Sequence, residues 1–138
     1  GAAELLSPDN DPNHWDIIEG QGSIFHPGYS GVSLGLLHGS QPDGFVVCHD
    51  PLRQTVSGWE HYALPSLQEC IDTHVMMGRR TNPGIRCVGI TVNSSALPAG
   101  ERGAWLRGLA RETGLPCCDP VRDGCGVIVD YIRAVFEV

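Results

Sequence analysis

The chain has 138 residues, of which 41% are hydrophobic, enough for one domain around one core. Its formal net charge is −7 with no basic stripe, which argues against nucleic acid or an anionic membrane surface as a main partner. All nine basic residues are arginines, so these residues alone complete neither a lysine Schiff base nor a Walker A phosphate clamp.

The first stretch holds the strongest candidate for chemistry. Ala2–Leu6 is expected to be the last turn of a helix, and Trp15–Ile18 to be a short buried strand that ends at Glu19. Gly20 and Gly22 follow, so the backbone can turn sharply and approach a ligand. Ligands bind outside the carboxyl ends of strands in open α/β sheets, and a carboxylate there suits magnesium or a polar substrate. The alternative is a strand that ends in a glycine turn, with Glu19 solvated.

The middle of the chain continues with alternating elements. Residues Gly31–Ser40 predict a short helix, and Phe45–Cys48 is a continuous apolar run typical of a central parallel strand. His49 and Asp50 then place polar groups at the carboxyl end of that strand. Residues 51–65 are expected to form a long irregular loop, of a length that is usually functional or mobile.

The second half repeats the alternation. Ser66 begins a capping box and predicts a helix that ends near Arg80. The remaining expected elements are a strand over 86–92, a helix over 98–113, a short strand over 115–118, and a helix capped by Asp123 that runs to about Phe136.

This order predicts an α/β fold with a mainly parallel sheet and helices on both faces. Polar clusters follow four predicted strands, and the carboxyl ends of parallel strands share one edge, so the clusters can converge on one site. They begin at Glu19, His49, Asn93 and Asp119.

Residue chemistry suggests roles within these clusters. Gln21 and Ser23 can donate hydrogen bonds to an anion, although turn formation alone explains them. His26 is a candidate general acid or base, or else a histidine hydrogen-bonded beside Pro27. Arg53 and Arg122 are the best anion-binding candidates, because guanidinium pairs bidentately with carboxylate or phosphate.

The other histidines and the cysteines receive simpler interpretations. His49 and Asp50 are taken as substrate-binding, and His38 as structural. Irregular spacing argues against a zinc cluster among the histidines. The six cysteines contain no C-x-x-C spacing, so reduced thiols in a cytoplasmic protein are expected. The sequence shows no signal peptide and no apolar run near 18 residues. Neither secretion by that route nor a membrane span is therefore expected.

Several long motifs resemble the carboxyl-terminal half of a family long described as of unknown function. The matching segments are Glu19–Pro27, Gly31–Ser40, Cys48–Pro51, Asn93–Ser95 and Asp119–Arg122. Members of that family pair an N-terminal Rossmann-like domain with a P-loop NTPase-like domain, and some are D-glutamate N-acetyltransferases. The resemblance implies that residues 1–138 are the C-terminal portion of one such domain, with the P-loop lysine upstream of the first residue.

The resemblance also implies a function. Acetyl-CoA would donate an acetyl group to a D-amino acid amine, with Glu19 and His26 as catalytic candidates. The alternative is an ATP- and Mg²⁺-dependent enzyme similar to dethiobiotin synthetase-like proteins, whose Glu-Gly-x-Gly turn places the glutamate near magnesium. In that comparison Gly20, Gly22, Asn93 and Ser94 would contact the nucleotide or cofactor. A third interpretation is a non-catalytic binding module. The expected partners are a small-molecule substrate, the upstream P-loop-bearing segment and a second copy in a homo-oligomer.

Overall fold

A computed structural model describes residues 1–7, 9–11, 13–20 and 23–137. These residues form two compact units that alternate along the chain, and each is described by itself. The first unit combines Gly1–Asp43 with Pro65–Ile85, and the second combines Gly44–Leu64 with Arg86–Val138.

Three helices make up the regular structure described in the first unit. They are α1 (Ala2–Leu6), α2 (Ser30–Ser40) and α3 (Leu67–Gly78), close to the predicted positions. The predicted capping box is confirmed, since the Ser66 hydroxyl accepts a hydrogen bond from the Glu69 amide at 3.1 Å. The structural interpretation of His38 is confirmed too, because its Nε2 lies 3.0 Å from the Met77 carbonyl oxygen and links α2 to α3.

The predicted strand over Trp15–Ile18 is wrong. This stretch has no regular secondary structure, and its residues are exposed, with Ile17 at 86% of its maximum. The apolar run lacks the hydrogen-bonded neighbour that a strand requires. Strand preference reflects packing on a half-buried surface more than an intrinsic tendency of the backbone.

The second unit is built on a three-stranded parallel sheet. Its elements in chain order are β1 (Gly44–His49), β2 (Thr55–Val56), β3 (Trp59–Ala63), β4 (Arg86–Val92), α4 (Arg102–Thr113), β5 (Cys117–Cys118) and α5 (Gly126–Phe136). The sheet order is β1-β4-β5, with β4 in the centre and both pairings parallel. The described elements therefore confirm the predicted α/β class.

The core of the second unit lies along β4, which is buried on both faces. Val88, Ile90 and Val92 are almost inaccessible, as a central parallel strand requires. Helix α5 packs against β4 and β5. The approach is close at Gly89, where an added Cβ would lie 2.8 Å from a side-chain carbon of Ile128.

Two further expectations need correction. The loop over 51–65 contains an antiparallel hairpin, β2–β3, whose two-residue turn places Gly58 at φ 77°. Asp123 does not cap the last helix. That helix begins after Cys125, which makes no side-chain capping bond, because Gly124 at φ 72° adds a left-handed turn between Asp123 and the helix. No helix in the described ranges is long and apolar enough to cross a bilayer.

Candidate functional site

In the second unit the three strands of the sheet end along one line, here called the carboxyl edge. It consists of the residues that end or directly follow these strands: His49–Asp50, Asn93–Ser95 and Asp119–Arg122. The Asn93 amide donates to the His49 carbonyl oxygen at 2.9 Å, so the ends of β1 and β4 are held together. Three of the four polar clusters therefore meet at this edge, as parallel pairing dictates.

A buried hydrogen-bonded pair holds the ends of β4 and β5 together. The Ser94 hydroxyl donates to Asp119 Oδ2, and the Ser94 amide donates to the same oxygen at 3.2 Å. The other carboxylate oxygen accepts from the amides of Val121 at 3.1 Å and Arg122 at 3.3 Å. Ser94 and Asp119 are both buried, so this pair fixes the positions of two loops from beneath.

The charge of Asp119 is stabilised by these donors. The hydrogen bond from the Ser94 side chain is the main cause that lowers the pKa of Asp119 below its ordinary value of 3.8. Burial acts in the opposite direction, and the amides of Ser94, Val121 and Arg122 add to the lowering. A buried carboxylate surrounded by donors stays ionised at neutral pH.

The loop after β4 is held by its own polar groups. Asn93 Oδ1 accepts from the Ser95 hydroxyl at 2.7 Å and from the Ser95 amide at 3.3 Å. The Arg102 guanidinium donates to the carbonyl oxygens of Ser95 at 2.8 Å and Leu97 at 2.9 Å. Asn93 lies exposed at the edge, whereas Ser94 is fully buried with its polar groups engaged. Asn93, which is predicted to contact the cofactor, therefore has an accessible side chain. Ser94 is buried and helps to hold Asn93 in place.

His49 lies at the end of β1 and is partly buried. Its ring stacks on the indole of Trp105 in α4, with centroids 6.1 Å apart and planes 12° from parallel. Burial lowers the pKa of His49 from its ordinary value of 6.5, and the negative charge of Asp50 partly opposes this. The neutral imidazole is therefore favoured at neutral pH.

Two arginines border the carboxyl edge. Arg53 Nη2 lies 4.0 Å from Asp50 Oδ2, and the Arg53 side chain is 55% exposed. Arg122 is exposed as well, while its amide is held by the Asp119 carboxylate. Both guanidinium groups belong to loops that follow sheet strands, where they can reach an anionic ligand.

The remaining candidates belong to the first unit. The Ser23 hydroxyl accepts from the Phe25 amide at 3.1 Å and the Ser23 carbonyl from the His26 amide at 3.0 Å, forming a tight turn before α2. His26 Nδ1 accepts from the Gly28 amide at 3.0 Å, and its ring lies 4.5 Å from that of Tyr29. Because Nδ1 accepts a hydrogen bond from the Gly28 N–H, a neutral His26 ring must carry its proton on Nε2.

Glu19 is exposed and makes no hydrogen bond or ion pair with the described part of the chain. Gly20 lies against α2, where an added Cβ would clash with the Leu36 side chain, so its close approach is to a helix of its own unit. Gln21 and Gly22 lie outside the described residues. No group of three or more metal-ligating side chains occurs in the described residues, and the metal role of Glu19 stays a prediction.

Sequence reasoning missed two contacts that shape this site, and a third feature that lies on the exposed hairpin. The Ser94–Asp119 pair joins residues 25 positions apart, and no local signal marks it. The contact of Trp105 with His49 depends on how α4 lies across the sheet end, which the sequence of the helix does not indicate. The third is an exposed aromatic cluster on the hairpin, in which the Tyr62 ring lies 5.9 Å from Trp59 and 4.6 Å from His61.

Three of the cysteines have a raised pKa. Burial is the main cause that raises the pKa of Cys87 and of Cys117, and it raises that of Cys118 to about 11, with smaller contributions there from Cys125 and Asp123. A thiol with a raised pKa is a poor nucleophile at neutral pH. These three are therefore unsuited to nucleophilic catalysis.

A parallel sheet whose carboxyl edge gathers polar loop residues defines an open α/β domain with its ligand edge at those loops. The chain belongs to the DUF1611 family: residues 1–129 match its model, described as a domain of unknown function (DUF1611_C), P-loop domain. The crystal structure at 2.30 Å of a DUF1611 family protein from Anabaena variabilis superposes with a TM-score of 0.85 at 33% identity. That match covers 97% of this chain and 40% of the other.

Two relatives carry a functional name. A protein of Tritonibacter scottomollicae named D-glutamate N-acetyltransferase is 46% identical over 135 residues, which cover 98% of this chain and 40% of the relative. A protein of the same name from a Pseudoalteromonas species is 48% identical over 129 residues, covering 94% and 39%. The chain thus spans about 40% of the length of these relatives.

Proposed function

We propose that the protein is an N-acetyltransferase that moves an acetyl group from acetyl-CoA to the amine of D-glutamate, acting in the cytoplasm. The main support is identity of 46% and 48% to two proteins named D-glutamate N-acetyltransferase, over nearly all of this chain. The chain spans about 40% of the length of those relatives, so the activity is proposed for the whole protein, with an upstream P-loop-bearing segment as the proposed partner of this domain.

The substrate would be held by charge. D-Glutamate carries two carboxylates at neutral pH, and guanidinium is the side chain best suited to bind them. The exposed guanidinium groups of Arg53 and Arg122 are the proposed partners. The polar side chain of Asn93, exposed at the same carboxyl edge, would contact the substrate or the cofactor.

Acyl transfer also requires hydrogen-bond donors that stabilise the negative charge that develops on the thioester oxygen. Donors aimed at that oxygen are typically worth about 10²–10³ in kcat. His26 is the proposed hydrogen-bond donor, and the exposed carboxylate of Glu19 is proposed to orient the substrate ammonium.

The assay measures thiol release from acetyl-CoA by the intact protein, with D-glutamate and L-glutamate as separate substrates. We expect release with D-glutamate and much less with L-glutamate. Glu19→Gln, His26→Ala and Arg122→Ala are then compared singly with the wild type. Unchanged turnover in all three would dispose of the assigned roles, and no thiol release from the wild type would dispose of the reaction.

An ATP- and Mg²⁺-dependent activity is the alternative, favoured by the description of the family model as a P-loop domain. Magnesium is commonly held by one or two carboxylates together with substrate phosphates, and an exposed Glu19 fits that pattern. Calorimetry of the intact protein with ATP and Mg²⁺, against acetyl-CoA alone, distinguishes the two. Saturable heat with ATP only would favour the alternative, and binding of neither ligand would favour a non-catalytic module.

A further inference from the structure

We infer that His49 is the general base of the acyl transfer, a role that rests on the proposed function. A base for this reaction must lie at the ligand edge of the sheet, keep a ring nitrogen accessible for a proton, and be neutral before the reaction starts. The structure allows each histidine of the chain to be compared with these requirements.

The position of His49 meets the first requirement. It is the last residue of β1, and its carbonyl oxygen accepts the Asn93 amide at 2.9 Å, so its backbone is anchored at the carboxyl edge. The ring is held on one face by Trp105, whose plane lies 12° from its own. A ring that is stacked on a fixed indole has few orientations, which is what proton transfer in a defined direction needs.

His49 also meets the second requirement. Among the described residues, neither ring nitrogen of His49 has a hydrogen-bond or ion-pair partner. Four others have a ring nitrogen engaged by a neighbour: His14 with Asp16 at 3.2 Å, His26 with Gly28 at 3.0 Å, His38 with Met77 at 3.0 Å and His74 with Cys70 at 2.7 Å. The fifth, His61, lies on the exposed hairpin in an aromatic cluster.

The charges around the ring agree with a neutral base. Burial lowers the pKa of His49, and the adjacent Asp50 opposes this only in part. Arg53 lies 4.0 Å from Asp50 and offsets its charge. The β4 residue paired with His49 is uncharged, and on α4 the ring meets Trp105, while Arg102 is engaged by backbone carbonyls.

The proton balance of the step is complete. The substrate ammonium gives one proton to the imidazole of His49, and the free amine attacks the thioester carbonyl carbon to form an N–C bond. The tetrahedral adduct loses a second proton to solvent, and the C–S bond breaks to release a thiolate. The imidazolium of His49 protonates that thiolate, so the amide, the thiol, one released proton and neutral His49 remain.

The test uses the intact protein in the thiol-release assay with acetyl-CoA and D-glutamate. His49→Gln is expected to lower kcat by about 10²–10⁴-fold, the usual contribution of a general base, with the KM for D-glutamate little changed. His61→Gln, a histidine substitution in the same unit on the exposed hairpin, is the matched control and should retain wild-type turnover.

A second variant distinguishes catalysis from support of the fold. His49→Ala should regain turnover when imidazole is added, because a small base can occupy the vacated space only in a folded site. The wild-type kcat should rise with pH along a limb whose pKa lies below 6.5, and the rescued variant should follow the pKa of the added imidazole instead.

The outcomes separate the two ideas. If the wild type releases thiol and His49→Gln keeps more than about one-tenth of its kcat, the base assignment is wrong and the acetyltransferase stands. A rise in KM with kcat unchanged also overturns the base assignment. So does a fall in the kcat of His49→Ala that added imidazole does not reverse. If the wild type releases no thiol with D-glutamate, the proposed function fails and this inference fails with it.

Discussion

Removing the Asp119 carboxylate should destabilise the protein by about 3 kcal/mol. Its oxygens accept four hydrogen bonds, of which two come from the buried hydroxyl and amide of Ser94. Each buried donor left without an acceptor costs roughly 1–3 kcal/mol, so two give about 2–6 kcal/mol. The amides of Val121 and Arg122 lie in an exposed loop, where water can replace the lost acceptor at little cost.

The free energy of unfolding is measured by urea titration of the intact protein, for Asp119→Ala, Ser94→Ala and the double variant. Ser94→Ala removes one of the two buried donors, so the loss caused by Asp119→Ala should be about 1–2 kcal/mol smaller in that background. Asp130→Ala, on the exposed side of α5, is the control and should change stability by less than about 0.5 kcal/mol.

The contribution of Asp119 should also depend on pH. Its pKa is lowered in the folded protein, so its stabilisation is fully present above the ordinary value of 3.8 and is lost as the pH falls through the folded pKa. The difference between wild type and Asp119→Ala should therefore shrink in acid. Additive effects in the double variant, or a loss below about 0.5 kcal/mol in Asp119→Ala, would refute the buried-pair explanation.

Three further predictions follow from packing and pKa. Gly89→Ala should destabilise the protein by about 1–3 kcal/mol, because the new methyl meets α5 at 2.8 Å, whereas Gly108→Ala in α4 meets nothing within 4 Å and should stabilise it by about 0.5–1 kcal/mol. Equal thermal midpoints for the two variants would contradict this packing. Iodoacetamide at neutral pH should modify exposed Cys125 well before Cys118, whose pKa is about 11, and peptide mass spectrometry showing equal rates would count against it. The lowered pKa of His49 contributes stability that is present above pH 6.5 and is lost as the pH falls through the folded pKa. The free energy of unfolding of His49→Gln should therefore fall less between pH 7 and pH 5 than that of the wild type. Identical pH dependence of stability in the two proteins would exclude this contribution of His49.

Elements with strong local signals were predictable from sequence. The strand over Arg86–Val92 was located to the residue, because a continuous apolar run bounded by turn residues describes a buried central strand. The start of α3 followed from Ser66 and Glu69, whose side chain and amide meet three residues apart. Such signals depend on neighbours in sequence, and the folded protein contains the local structures that they predict.

Features that depend on distant partners were not predictable. Trp15–Ile18 has the composition of a strand, but no strand pairs with it in the described structure. At the site, parallel pairing allowed the loops after β1, β4 and β5 to be grouped in advance. The Ser94–Asp119 bond and the stacking of His49 on Trp105 are tertiary contacts, and a single sequence contains no direct record of them.

Strand β1 is hydrogen-bonded on one side only within the described structure, where β4 pairs with it and no other strand does. Its second side has no partner strand among the described elements, and Val46 on this strand is partly exposed. An uncovered strand of this kind recruits any extended segment nearby and is a starting point for self-association at high concentration. Handling of this domain in isolation should therefore include a light-scattering check, with a lysine substitution at Val46 as a means of keeping the particles monomeric.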